Sequence, residues 1–299
     1  MKISIVDSSP GNGHLFSFPA IFNGYNPHYK DLCPFPIINE YLPLYDTPNQ
    51  SLANLAQVTN IWMPNVELAK AAAKFANIPT VNLNLVDAIE GCDVIIITND
   101  EPIGREQVLN ACIATGKEVF VDKLLARNFG DLSDILSKQN FKGQIYSAAA
   151  TRFAPSFKEI CINDLVENIK VTVPNHWDKY GIHAIELILS LAKDSSIDLQ
   201  LSTLSRKDGI SRLFGLRGKE QRIEITLSCS GIQTTEFLTE IRSKNSEKKF
   251  TMPDPFYAFS NMLEYWITRD KNRTAVEEEI DYFTGLRILL NSPRERKGI

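Results

Sequence analysis

No CxxC pair occurs in the sequence, and its five cysteines (Cys33, Cys92, Cys112, Cys161, Cys229) are scattered and odd in number. That spacing argues against a zinc knuckle and against a disulfide framework, and it points to a reducing, cytoplasmic compartment. No apolar run approaches the roughly 18 residues that a membrane span needs, so no membrane partner is expected. The opening Met1 to Asp7 is too short and too strand-like for a signal peptide. Positive charge is not in excess: 32 Lys and Arg against 36 Asp and Glu leave a net charge of -4, so nucleic acid is not an expected partner. There is no internal repeat, no low-complexity tract and no Gly-x-Ser-x-Gly nucleophile elbow.

What is present is an ordinary balance of 43% hydrophobic and 23% charged residues over 299 positions. That suggests about two domains, each with its own core. Strand and helix patterns alternate through the first half. Lys2–Val6, Val58–Trp62, Val81–Leu83, Val94–Ile97, Glu118–Val121 and Gln144–Ser147 read as strands. Phe16–Phe22, Val66–Ala76, Val86–Glu90, Glu106–Thr115 and Phe129–Lys138 read as helices. The run Val94-Ile95-Ile96-Ile97 marks a strand buried on both faces. The alternation predicts an α/β fold with a Rossmann-like, doubly wound parallel sheet over residues 1–150. Residues 25–50, rich in proline, read as an irregular insertion. After residue 150 the rhythm changes, with helices over Phe153–Leu165 and Gly181–Lys193. Strands are expected at Ile169–Val173, Leu199–Leu204, Arg222–Leu227 and Thr234–Ile241. Residues 151–299 are therefore expected to form an α+β domain on an open, mostly antiparallel sheet, with late helices at Tyr257–Ile267 and Ala275–Leu290. An open sheet has edges and a face to cover, which suggests a homodimer or homotetramer.

Ligands of doubly wound sheets sit beyond the carboxyl ends of the strands. Asp7-Ser8-Ser9, Trp62-Met63-Pro64-Asn65, Asn99-Asp100-Glu101 and Asp122-Lys123 all fall there. Lys123 ends an apolar strand, where it reads either as a solvated lysine before a helix or as an ammonium that would bond a substrate oxygen and help move a proton. His183 opens the second-half helix and shares a face with Glu186 and Ser190 by helical spacing, apart from the stripe of Ile182, Ile185 and Leu189. It is a candidate acid/base, with Glu186 fixing its tautomer. The segment Pro10 to Ser17, with Gly11, Gly13 and His14, reads either as a phosphate cradle at a helix start or as a surface turn. Asp100 reads either as an acid favoured at a helix start or as a contact to a ribose. His176 and His183 lie seven residues apart, but Pro174 and Gly181 argue against one helix holding both, so no metal is expected.

These features resemble the glucose–fructose oxidoreductase / inositol dehydrogenase family, often written Gfo/Idh/MocA, over nearly the whole chain. Asp122-Lys123-Leu124 stands where members carry Glu-Lys-Pro. Gly181-Ile182-His183 matches their helix opening Gly-x-His. Arg152, in Thr151-Arg152-Phe153, falls where members have an arginine or asparagine. The resemblance implies an NAD(P)-dependent oxidoreductase acting on a hydroxyl or keto group of a small sugar, polyol or nucleotide-sugar-like molecule. Lys123 and His183 would be catalytic or substrate-orienting. Arg152, Lys179, Tyr180 and Glu186 would contact substrate. Ser8, Gly11, Gly13, His14, Asn65, Asn99, Asp100 and Lys123 would line the cofactor, NAD or NADP. The chain departs from the pattern in three places. The glycine loop is displaced, with Phe16 at its third glycine position. No acid ends the second strand to hold ribose hydroxyls; Asn65 stands nearby. Lys179 replaces a common aspartate, which suggests an anionic group on the substrate. These departures keep a second expectation alive: a catalytically inactive Rossmann-like binding or accessory protein.

Overall fold

The computed structural model describes residues 1–9, 13–44, 50–99, 104–160, 166–194, 198–207, 210–217, 221–232, 236–252 and 255–269. The chain divides into two compact units, one holding Met1–Ala148 and the other beginning at Ala149. Residues from Phe259 to the end of the last described helix group with the first unit.

The first unit follows the alternating pattern. Its elements are β1 (Lys2–Val6), α1 (His14–Asn23), α2 (Pro36–Tyr41), α3 (Gln50–Leu55), β2 (Gln57–Trp62), α4 (Val66–Phe75), β3 (Thr80–Val81), α5 (Leu85–Glu90), β4 (Val94–Ile97), α6 (Glu106–Ala114), β5 (Glu118–Val121), α7 (Phe129–Ser137) and β6 (Ile145–Tyr146). The strands form one parallel sheet in the order β3-β2-β1-β4-β5-β6. The order reverses between β1 and β4, which opens a crevice at the carboxyl edge. Every residue of β4 is buried, as its β-branched run predicts. Helix α1 is buried from Leu15 through Phe22, so it is apolar on all sides rather than along one stripe. Part of the reason is aromatic packing: Phe16 lies against Phe35 and Phe75, and Phe18 against Phe120 and Phe259.

The proline-rich stretch after residue 25 is not irregular where it is described. It forms a 3-10 helix at Pro27–Leu32, then α2, then a 3-10 turn at Leu42–Leu44. Two of the prolines that suggested a loop, Pro27 and Pro36, stand at first helical positions. There the missing N–H costs nothing and the fixed φ favours the helix.

The second unit contains α8 (Pro155–Lys158), β7 (Val166–Val173), α9 (Trp177–Asp194), β8 (Asp198–Lys207), β9 (Ile210–Arg217), β10 (Gln221–Cys229), β11 (Leu238–Ser243) and β12 (Ser246–Thr251). Its sheet runs β12-β11-β7-β10-β9-β8. Only β7 and β10 pair in parallel, so the sheet is open and mostly antiparallel, as expected. Helix α9 packs against β7 and β10. On the outward side, Lys170 and Lys249 each approach Glu240 at 2.9 Å. Hydrogen bonds from these two ammonium groups hold its carboxyl below the usual carboxylate range. The last helix, α10 (Pro255–Thr268), matches the expectation for Tyr257–Ile267. The expected helix over Ala275–Leu290 lies outside the described residues.

Three expectations in this half are corrected. The helix read over Phe153–Leu165 is a 3-10 turn at Ala150–Phe153 followed by the short α8. Pro155 breaks it by holding Ala154 extended at ψ 128; residues 161–165 lie outside the description. Strands β9 and β12 are additions. Gly215 made the first resemble a turn, and the charged Ser246–Thr251 edge shows no apolar alternation. Finally, α9 begins at Trp177 rather than Gly181, so His183 lies in its second turn. Trp177 is 2% exposed, and burying so large a side chain is worth about 2–3 kcal/mol. That outweighs the roughly 1 kcal/mol that a mid-helix glycine costs.

Cys112, on α6, illustrates how tightly the first core is closed. Burial pushes its thiol up from 9.0 to about 12. The folded-state value is raised, so the unfolded chain loses this proton first. The contribution is therefore complete below pH 9.0 and is lost as pH rises toward about 12. Over that window the wild type is expected to lose up to about 1.4 kcal/mol per pH unit from this group. Urea midpoints measured from about pH 8 to about pH 11 should fall more steeply for wild type than for Cys112→Ala. Parallel slopes would refute the assignment.

Candidate functional site

At the carboxyl edge of the parallel sheet, polar groups accumulate where strand ladders stop. Asp7 follows β1 and is 1% exposed. Its carboxylate accepts the Thr98 hydroxyl at 2.5 Å and the Ser9 backbone N–H at 2.9 Å. Across the same gap the Asn99 side-chain amide donates to the Ser8 hydroxyl at 2.5 Å. The structure thus brings Ser8 and Asn99 together at the point where the strand order reverses. One strand further on, Asp122 and Lys123 follow β5 and are both buried, at 2% and 6% exposed. The Lys123–Leu124 peptide bond is cis.

His14 is placed at the start of α1. Its ring stacks on Phe18 at 4.3 Å and meets the edge of Phe259 at 4.7 Å. Nδ1 lies 3.2 Å from the Ser17 hydroxyl, and Nε2 is 3.8 Å from the Asp122 carboxylate. It is therefore packed between aromatic rings beside the sheet edge. Gly13 is the N-cap of α1. A Cβ added there would lie 2.3 Å from Ile38 Cδ1 and 3.2 Å from Phe35 Cγ. The missing side chain makes room for the chain's own apolar segment. Asn65 caps α4, its side-chain oxygen accepting the Leu68 N–H at 3.1 Å. Gly11 and Asp100 lie outside the described residues.

For a dinucleotide, the fit is divided. Ser8 and Asn99 meet at the crevice, and Lys123 stands one strand further along the same edge. Gly13 and Asn65 have local structural employment instead.

The candidate residues of the second unit gather on α9 and on the turn that precedes α8. His183 is 5% exposed and Glu186 2% exposed. Their shared face is thus buried, not solvated. It packs on the 3-10 turn: the Thr151 hydroxyl donates to the His183 carbonyl at 2.9 Å, and the Glu186 carboxylate accepts the Ala149 backbone N–H. The second of these, to a carboxylate, is charge-assisted and the stronger of the two. The His183 ring is flanked by Tyr180 and Phe237, both at 5.4 Å between centroids. Lys179 lies one turn before His183 on α9 and is partly exposed. Arg152 extends from the 3-10 turn with its guanidinium 4.7 Å from the Phe153 ring. Among the described residues no cluster of three metal-ligating side chains occurs, and no helix is long and apolar enough to cross a membrane.

Sequence reasoning placed Asp7 and Asp122 at the ligand edge without giving them a role, and it passed over Thr98 and Arg105. Arg105 is the N-cap of α6, where a cation opposes the helix dipole. That misplaced charge was the available signal.

No family model and no curated protein matches the sequence. Solved structures do match the fold. A dehydrogenase (MviM) from Clostridium difficile superposes with a TM-score of 0.61 at 14% identity, covering 97% of each chain. The myo-inositol dehydrogenase from Lactobacillus casei, in complex with NAD(H) and myo-inositol, gives 0.58 at 12% identity, covering 100% of this chain and 98% of that one. A Gfo/Idh/MocA family oxidoreductase from Vibrio cholerae gives 0.58 at 12% identity, covering 97% and 95%. The two-sheet fold of this chain is thus the fold of these dehydrogenases.

Proposed function

We propose that the chain is a divergent Gfo/Idh/MocA-type oxidoreductase that uses NAD or NADP. Its substrate is a small sugar, polyol or nucleotide-sugar-like molecule bearing a secondary hydroxyl or the corresponding ketone. The observation that carries this reading is Lys123: a buried lysine at the carboxyl end of β5, on the ligand edge of a doubly wound sheet. Lysine is seldom buried without a task for its ammonium. The first unit would bind the dinucleotide, and the second would bind substrate and carry oligomer contacts in a cytoplasmic homodimer or homotetramer.

When bound, the nicotinamide supplies the hydride acceptor or donor. Ser8 and Asn99 would orient it from the β1/β4 crevice. Lys123 would hydrogen-bond the substrate oxygen and stabilise the charge that grows there. His183 would take or return the hydroxyl proton. Arg152, Lys179 and Tyr180 would line the substrate side, the two cations favouring a substrate with a carboxylate or phosphate. Glu186, with its carboxylate on the Ala149 N–H, would fix the geometry of α9.

Titration of the purified protein with NADH and with NADPH, followed by fluorescence, tests the reading. Saturable binding of at least one is expected. No binding of either, together with no nucleotide carried through purification, would sink it. The placement of Ile38 against Gly13 and the capping role of Asn65 favour a second reading, a Rossmann-like binding protein without turnover. Under that reading, neither nucleotide binds.

A further inference from the structure

We infer that Arg105 is a positioning residue for Lys123, an inference whose functional part rests on the oxidoreductase reading. The Arg105 side chain is enclosed, at 1% exposure, and it donates to four main-chain carbonyls. Nη1 donates to Asn99 at 2.7 Å and to Asp122 at 3.3 Å. Nη2 donates to Leu124 at 2.6 Å and to Leu125 at 2.8 Å. The acceptors belong to the two segments that leave β4 and β5, the ones bearing Asn99 and Lys123.

The β4–β5 pairing does not join these segments. The β4–β5 register ends at Ile97 and Val121, and one more bond, from the Asp122 N–H to the Ile97 carbonyl at 2.9 Å, closes the ladder. Beyond it, Arg105 joins the two segments. Its acceptors bracket Lys123 on both sides along the chain, so the direction in which the Lys123 side chain leaves the backbone is fixed through this guanidinium. Helix stability does not explain the residue. As N-cap it makes no side-chain cap bond, and its charge opposes the dipole of α6. A planar fork of donors is what the carbonyl array requires. A lysine, with three tetrahedral donors on a single nitrogen, cannot serve both branches.

A double-mutant cycle on the full-length chain tests this, with Arg105→Lys, Lys123→Ala and the pair. Turnover is read with NAD and NADP against a panel of sugars and polyols, neutral and bearing a carboxylate or phosphate. NADH affinity and the acylation rate of Lys123 by acetic anhydride, followed by peptide mass spectrometry, are read alongside. Arg105→Lys is expected to lower kcat about tenfold or more, because an ångström of misplacement is enough. NADH affinity should stay within about twofold, and in the Lys123→Ala background the further loss should be less than about twofold. Lys123 should be acylated several-fold faster in Arg105→Lys, while exposed Lys70 and Lys138 are unchanged. A loss that multiplies through the Lys123→Ala background overturns the inference, and so does an unchanged acylation rate. If Lys123→Ala keeps full turnover, the oxidoreductase site has failed; in that case, or if the wild type turns over no substrate of the panel, the acylation arm alone decides whether Arg105 holds Lys123. Should Arg105→Lys not fold, the wild type decides by NMR. Slowly exchanging, distinct Arg105 Nη proton signals are expected, and a freely rotating, averaged signal overturns the inference.

Discussion

Lys123→Ala is expected to cut turnover about a hundredfold or more while NAD(P)H affinity changes little. The split follows from where the side chain and the main chain do their work. The segment around Lys123 is held through the carbonyls of Asp122, Leu124 and Leu125. None of these bonds uses the lysine side chain, so they survive a truncation that removes the ammonium and its methylene stem. The rival reading, a lysine with no task beyond packing at a strand end, predicts wild-type turnover. His183→Ala is expected to show the same pattern, provided that circular dichroism confirms folding. His183 gives its carbonyl to Thr151, a bond that alanine preserves. Steady-state kinetics beside a fluorescence titration would check both. Equal activity of both variants and wild type would refute the site assignment.

Phe120→Ala is expected to destabilise the protein by about 3–5 kcal/mol, the range for emptying a large aromatic from a closed core. Phe120 sits on β5 at 0% exposure. Its ring meets Trp266 at 5.4 Å, Tyr146 at 5.9 Å and Phe18 at 6.0 Å. Its ring contacts reach α1, β6 and α10, so no neighbour can collapse into the void without dragging a whole element. Urea unfolding of the first unit, followed by tryptophan fluorescence from Trp266, would measure the effect. A change below about 1 kcal/mol would show that the core repacks freely. Because β5 leads directly to Asp122 and Lys123, turnover should fall as well.

The parallel sheet was legible because a strand buried on both faces has no alternative pattern. Val94 to Ile97 could be little else, and strands alternating with helices force parallel pairing. The carboxyl-edge rule then located Ser8, Asn99 and Lys123 before any contact was known. Punctuation misled where local preference met tertiary packing. Prolines at 27 and 36 suggested loop and instead start helices. Gly181 suggested a helix boundary, but the burial of Trp177 carried α9 through it. Charged β12 gave no apolar rhythm because an edge strand has little to bury.

By itself, the sequence determined the strand–helix alternation of the first half, the two-sheet architecture and the residues that end the parallel strands, since these follow from local periodicity. Only the tertiary structure decided what those residues meet. It packed His14 between Phe18 and Phe259, and it gave Gly13 to Ile38 and Asn65 to α4. It turned the polar-looking face of α9 inward and drew a surface-looking Arg105 into the carbonyls flanking Lys123. Such partners lie on segments distant in sequence or across a loop. They are chosen by which buried polar groups must be satisfied, and no periodicity along the chain records that choice.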